Sequence, residues 1–258
     1  MDLRLGGRTA LVTGSARGTG LIIARRLADE GARVLVHGLE PGQAERAVAE
    51  IGVGFPVTGD ITSDPGAAAL LEQCRAETID ILVNNYGTAD AGSWETSGTD
   101  DWLLAYQRNV LSAQRLIRAL LPGMRTRPFG RIINLGTVGS TRPNARMPHY
   151  YAAKGALATM TISLAREVAA TAVRVNLVSP GLILTPEVEA AWLERGRRNG
   201  WGSTWAEVEP HVAADIPIRR IARREEVADL VAFLASPLAD AIHGQNIRID
   251  GGALETLT

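Results

Sequence analysis

The chain has 258 residues, 46% of them hydrophobic and 21% charged, with a formal net charge of −1 and an isoelectric point near 6.4. That near-neutral balance gives no electrostatic footprint for nucleic acid or an anionic membrane. Cys74 is the single cysteine, which rules out an intrachain disulfide and makes a reducing cytoplasm the expected setting.

The opening "MDLRLGG" is too short and too polar for a signal peptide, and no apolar run approaches the ~20 residues a bilayer span needs. Short apolar runs then alternate with longer amphipathic ones. The runs 9–13, 33–37, 54–58, 79–83, 131–135, 173–178 and 246–249 are β-branched or Leu-rich and lack polar alternation, as strands covered on both faces should. Between them helical patterns cover 21–30, 43–51, 67–77, 101–124, 150–170 and 225–234. Gly31 closes the first of these, and Ser63/Asp64 and Thr99/Asp100 supply N-cap residues to the third and fourth. Regular strand–helix alternation, with no repeat and no linker, predicts one doubly wound α/β domain over 1–258 with a parallel sheet. Residues 186–216 interrupt the pattern. They hold Trp192, Trp201 and Trp205 around "RGRRNG", a helical excursion before the last strand. Packing among its own tryptophans is one reading of it, and a lid over a substrate pocket is the other.

The stretch "TALVTGSARGTGLIIARRL" is strand, glycine-rich turn and helix. Gly14, Gly18 and Gly20 let the turn bend and approach an anion, while the N–H groups and dipole at the helix start suit a pyrophosphate. About twenty residues on, an acidic residue would be expected to meet a ribose 2′-hydroxyl. "VLVHGLE" offers Gly38 and Leu39 there, with Glu40 one step later. Without that carboxylate to repel a 2′-phosphate, and with Arg17 in the turn to reach one, NADP(H) is favoured over NAD(H).

A further stretch, "HYYAAKGAL", holds the only lysine among 27 basic residues, Lys154. Tyr150 and Tyr151 precede it by four and three positions, and both spacings put side chains side by side on a helix. A compact ammonium close to a phenol would stabilise phenolate and move the phenol's pKa down from about 10 toward neutrality, making it a usable acid and base.

TGSARGTG, NNYG at 84–87, Asn109 within a long helix, Tyr150-x-x-x-Lys154 and "SPG" followed by Thr185 occur in that order. Together they resemble the short-chain dehydrogenase/reductase family, with similarity to 3-oxoacyl-carrier-protein reductases over essentially the whole chain. The resemblance implies a Rossmann-type domain with about seven parallel strands, a nicotinamide cofactor, no metal, and commonly a homotetramer, a homodimer being the smaller assembly. It implies hydride transfer between NADP(H) or NAD(H) and a secondary alcohol/ketone pair, with a 3-oxoacyl compound as one candidate substrate; a lid whose Trp192, Trp201 or Trp205 lined the pocket would favour a bulky cyclic carbonyl compound. It selects Tyr150 as acid/base and leaves Tyr151 to packing or the pocket wall. It gives Lys154 the nicotinamide ribose, and gives Asn109 a water that passes protons toward Lys154. Counting back from Tyr150 to the family's serine reaches Thr137, which keeps the hydroxyl and adds a methyl; Ser140 is the fallback. It also places Gly14, Ser15, Arg17, Gly18, Thr19, Gly20, Leu39, Asp60, Ile61, Asn85, Gly87, Pro180, Gly181, Ile183 and Thr185 at the cofactor. Tyr86 replaces the usual alanine. A catalytically weak redox sensor, or an epimerase or dehydratase of related fold, is the alternative. The latter usually has a longer C-terminal substrate domain.

Overall fold

All seven expected strands form in the computed structural model, which describes residues 2–255. They are β1 (Thr9–Val12), β2 (Arg33–Gly38), β3 (Phe55–Thr58), β4 (Ile81–Asn84), β5 (Gly130–Leu135), β6 (Val173–Pro180) and, after two short strands described below, β9 (Asn246–Ile249). Every pairing is parallel, in the order β3-β2-β1-β4-β5-β6-β9. The chain runs outward from β1 through β3 and returns to β4 on the other side of β1. Val12 pairs with Val36 on one side and Val83 on the other, so the carboxyl ends of these strands are level. Such a reversal opens a crevice at the carboxyl edge, where ligands bind in open α/β sheets.

The helices between strands are α1 (Gly18–Asp29), α2 (Gln43–Ile51), α3 (Asp64–Gln73), α4 (Thr99–Tyr106), α5 (Ser112–Arg125), α6 (Pro148–Glu167), α7 (Pro186–Asn199), α8 (Trp205–Val212) and α9 (Arg224–Ala235). Alternate strand residues feed two cores. Ala10, Val12, Val34, Val36 and Ile133 meet α1 and α9 on one face. Leu11, Leu35, Leu82, Ile132 and Val175 meet α3, α5 and α6 on the other. Burial on both faces is why these strands read as unbroken apolar runs.

Three local features differ from the sequence expectation. The helix expected over 101–124 is continuous but contains a π turn, Gln107–Leu111, between α4 and α5. Asn109 sits in it, almost fully buried. Its Nδ2 donates to Ala105 O and Thr88 O, both at 3.0 Å, and Ser112 Oγ donates to Arg108 O at 2.7 Å. Side chains thus satisfy carbonyls where the regular helix ladder is interrupted. The third helix begins at Asp64 with Ser63 as its cap, its hydroxyl accepting from Gly66 N. In α4 the cap position falls to Gly98, whose N–H donates to the Asp101 carboxylate at 2.9 Å, so Thr99 is already helical.

The excursion after β6 contains α7 and α8, and two short strands, β7 (Ile183–Leu184) and β8 (Ala222–Arg223), pair in parallel around it. Its aromatic rings stack on one another. Trp192 lies 6.3 Å from Trp201, which lies 4.9 Å from His211, and the Arg195 guanidinium covers Trp192 at 4.8 Å.

Candidate active site

At the carboxyl ends of β1, β4, β5 and β6 a cavity of about 180 Å³ runs from Thr19 in the glycine turn, past Asn85, Gly87 and Thr88, to Tyr150 and Lys154, with Pro180 and Ile183 as the opposite wall. None of the three excursion tryptophans lines it.

The turn end is built by commitments made elsewhere in the sheet. Thr13 Oγ1 accepts the N–H groups of Asn85 and Tyr86 at 3.0 Å each, and Asn85 Nδ2 donates to Thr13 O and Gly14 O. A Cβ on Gly20 would lie 2.4 Å from that amide nitrogen and 2.5 Å from Gly14 O, so glycine alone permits this closeness. Gly14 and Gly18 both hold φ of +61°, the left-handed region that favours glycine. The first turn of α1 has no acidic residue and no side-chain cap, which leaves its N–H groups available to an anion. An uncapped helix start behind a glycine turn, opening into a cavity that ends at a tyrosine and a lysine, fits a dinucleotide laid along the crevice.

Four of the residues expected at the cofactor also have partners within the chain. Ser15 is fully buried: its hydroxyl donates to Val12 O at 2.6 Å and its N–H to His37 O at 3.0 Å, which leaves neither for a phosphate. Ile61 is buried and belongs to the core cluster that includes Leu70. The Leu39 N–H donates to Gln43 Oε1 at 3.0 Å. Thr185 caps α7, accepting from Val188 N at 3.2 Å. Arg17 is exposed and faces α7. Backbone and Thr185 hydrogen bonds, followed by the charges of Arg17 and Arg224, hold the Glu187 carboxyl below its usual range. Asp60 is exposed and accepts from Thr62 N and Oγ1 through one carboxylate oxygen, Oδ1. Gly181 donates its N–H to Ile249 O.

At the other end Tyr150 and Lys154 lie on the first turns of α6. Lys154 is buried, and its Nζ donates to Leu135 O at 2.8 Å and lies 5.9 Å from the Tyr150 ring centre. Thr137 shares a side-chain hydrogen bond with Tyr150 and accepts from Gly139 N at 3.2 Å, which leaves its own hydroxyl proton to donate. Ser140 donates to Thr137 O at 2.7 Å, so the fallback hydroxyl points back into its own turn. A Cβ on Gly87 would come 2.4 Å from Asn109 Oδ1 and 3.2 Å from Lys154 Nζ, so these two polar atoms border one small space. Asn109 Oδ1 is buried without a partner.

The electrostatics correct one expectation. With only this chain's residues present, the phenol is not brought toward neutrality. Burial pushes Tyr150 up to about 12, reinforced by Tyr151, and the Thr137 hydrogen bond only partly offsets this. Burial also pulls Lys154 down to about 8. The ammonium is turned to the Leu135 carbonyl and not to the phenol, and desolvation disfavours the charged form of each group.

Sequence reasoning missed His37, Gln43 and Thr13, whose side chains bind the backbone of the turn, of the loop after β2 and of the loop after β4, respectively. It also left Tyr86 without a place. Tyr86 lies against Gly14: a Cβ there would be 3.0 Å from Tyr86 Cα and 3.3 Å from its ring Cδ2. Tyr151 packs on the backbone of Gly139 and accepts from Asn144 Nδ2 at 2.9 Å, beside the turn that carries Thr137.

Residues 14–253 match a family described as enoyl-(acyl carrier protein) reductase. The chain is 34% identical to the 3-oxoacyl-[acyl-carrier-protein] reductase FabG of Escherichia coli, over 95% of this chain and 97% of that protein. It is 34% identical to the uncharacterized oxidoreductase YvaG of Bacillus subtilis over the full length of both. Among solved structures, L-sorbose reductase from Gluconobacter frateurii, complexed with NADPH and L-sorbose, superimposes with a TM-score of 0.92 at 35% identity over the whole of both chains. A 3-oxoacyl (acyl-carrier-protein) reductase from Agrobacterium tumefaciens with NADP bound does so with a TM-score of 0.85 at 30% identity, covering 97% of this chain and 95% of that one.

Proposed function

Because the chain belongs to the short-chain dehydrogenase/reductase family, and is an NAD(P)-dependent oxidoreductase acting on a ketone/alcohol pair, we propose that it reduces a ketone in the cavity between the glycine turn and Tyr150. The observation that carries this is the convergence of Tyr150, Thr137 and Lys154 at one end of a crevice whose other end is an uncapped helix start. Gly18, Thr19 and Gly20 would hold the pyrophosphate, Asn85, Gly87 and Lys154 the nicotinamide ribose, and Pro180 and Ile183 the ring. When bound, the nicotinamide supplies the hydride to the carbonyl carbon.

The proton is this chain's task. At neutral pH Tyr150 is held as the neutral phenol, the form that donates to a carbonyl oxygen as charge develops on it. Thr137 donates to the same oxygen and fixes its position. The phenolate left on Tyr150 is stabilised by the Lys154 ammonium, whose pKa of about 8 also makes it a ready proton donor near neutrality. Asn109 Oδ1 borders the same space as Lys154 Nζ and would accept from a water that returns the proton from solvent.

NADP(H) is the preferred cofactor in this reading. No carboxylate occupies position 39, and the Glu40 carboxylate accepts from Gln43 Nε2 at 3.2 Å, which turns it toward α2. The relatives bound to NADPH and NADP support the same choice. The segment 186–216 would act as a lid through the first turn of α7, next to Ile183, and not through its tryptophans. The groove of about 670 Å³ between α5 and α6, lined by Ile117, Leu121, Met160 and Leu164, would be covered by a second copy in a dimer or tetramer. No helix among the described residues is long and apolar enough to cross a membrane, and the buried thiol of Cys74 suits a cytoplasmic enzyme.

Nicotinamide absorbance, followed with NADPH and a panel of L-sorbose and other hydroxyketones, cyclic ketones and 3-oxoacyl thioesters, tests this. Turnover of at least one ketone, lost in Tyr150→Phe by about a hundredfold or more, is expected. Binding without turnover of any ketone would leave the redox sensor, and an equally active Phe variant would remove the proposed chemistry.

A further inference from the structure

His37 is the last apolar-flanked position of β2, fully buried, and outside the catalytic residues. Both of its ring nitrogens are committed. Nδ1 lies 2.9 Å from Gly14 N and Nε2 lies 2.8 Å from Gly59 O. A backbone N–H can only donate and a carbonyl can only accept. Nδ1 must therefore present its lone pair and Nε2 must carry the proton, which defines one neutral tautomer. The backbone of the same residue is tied to the same turn. Its N–H donates to Ser15 Oγ at 2.8 Å, and its carbonyl accepts from Ser15 N at 3.0 Å. Gly59 N in turn donates to Gly38 O at 3.1 Å.

These bonds give one side chain contact with both halves of the expected cofactor cradle. Gly14 opens the phosphate turn, and Gly59 precedes Asp60 after β3, the residue that the family resemblance implies as the adenine contact. Gly14 is pressed from its other side by Tyr86, so its N–H direction is set between the imidazole and that ring. Resting on the reading that this turn binds the cofactor, we propose that neutral His37 is a positioning residue that locks the phosphate turn to the adenine wall, and that its protonation releases the cofactor. A proton on Nδ1 would set two donors facing each other at the Gly14 N–H, and the turn would have to open.

The surroundings of the ring favour the neutral form. Burial lowers its pKa below the ordinary 6.5, while the hydrogen bond to Gly59 O and then the charge of Asp60, after β3, act the other way. Ser15 on the glycine turn is uncharged. Tyr86, beyond Gly14 after β4, has its pKa raised by burial and stays neutral across the range. A lowered folded-state value places the loss of affinity at pH below 6.5, with none above it.

The test uses NADP+, which tolerates acid, in equilibrium titrations of the wild-type protein, His37→Asn and His37→Gln between pH 8 and pH 5. Wild-type Kd is expected to be flat down to pH 6.5 and then to rise, approaching tenfold per pH unit from one linked proton. Asn places an amide oxygen near the Nδ1 position, so it should keep much of the pH 8 affinity and lose the extra acid step. Gln reaches toward Gly59 without accepting from Gly14 and should bind about tenfold more weakly at every pH. Independently of any cofactor, 15N shifts of the His37 ring should report the Nε2–H tautomer at pH 7. Identical acid profiles for wild type and Asn, or an Nδ1–H tautomer or imidazolium at pH 7, would overturn the proposal. Failure of the wild type to bind NADP+ or NAD+ even at pH 8 would instead remove the cofactor reading on which it rests.

Discussion

Replacing Lys154 by methionine should make the cofactor-free protein more stable while removing most of its activity. The ammonium is fully enclosed, with Leu135 O as its hydrogen-bond partner, and burial holds its pKa near 8 against 10.5 in the unfolded chain. Keeping it charged at pH 7 therefore costs about 3 kcal/mol of folding free energy. Methionine has similar volume and no charge, but leaves the Leu135 carbonyl unpaired at about 1 kcal/mol. The net expectation is a gain of about 2 kcal/mol, or a rise in Tm of roughly 5 °C for a chain of this size. The sign with pH follows from a folded-state value below the unfolded one. The wild-type penalty is complete below pH 8 and fades as pH rises from 8 to 10.5, because the unfolded chain alone still binds the proton in that window. Urea unfolding at fixed protein concentration, at pH 7 and pH 10, should show the variant's advantage large at the first and small at the second. Over the same comparison kcat/KM should fall about a thousandfold. A methionine variant less stable than wild type at pH 7, or an advantage independent of pH, would mean the site solvates its ammonium and that Lys154 is no strained proton donor.

Other outcomes follow from the same geometry. Thr137→Ser should retain most of kcat/KM because the donor hydroxyl survives, whereas Thr137→Ala should lose about a hundredfold in steady-state assays. Gly20→Ala puts a Cβ 2.4 Å from Asn85 Nδ2 and 2.5 Å from Gly14 O, so it should weaken NADP(H) binding at least tenfold and cost about 1–3 kcal/mol in urea unfolding. Ketone reduction should decline as pH rises through about 8, with an apparent pKa belonging to the Tyr150–Lys154 pair. In the Lys154→Met variant this inflection should vanish from the pH–rate profile.

What the sequence discloses and what it withholds divide along the distance over which each interaction is closed. The strands are legible because burial on both faces erases polar alternation, a local property of six residues. Tyr150 and Lys154 are legible because helical spacing joins them, and because one lysine among so many arginines singles out its position. The π turn at Asn109 is not, since the apolar pattern through 101–124 keeps its helical period while one extra residue is taken into a turn. Ser15 was expected at the cofactor from the family resemblance. Its partner His37 lies 22 positions away, and only the strand pairing that joins them reveals the structural bonds that Ser15 makes. The acidity of Tyr150 was expected from its neighbour's charge, yet the same burial that brings the two groups together removes the water that would stabilise either charge. Spacing can thus nominate a reacting pair, but its protonation depends on the enclosing walls, which come from the carboxyl ends of four strands, Pro180 among them, and from Ile183 beyond β6. The proton therefore rests on the phenol in the chain alone. A reductase needs it there before the ketone arrives.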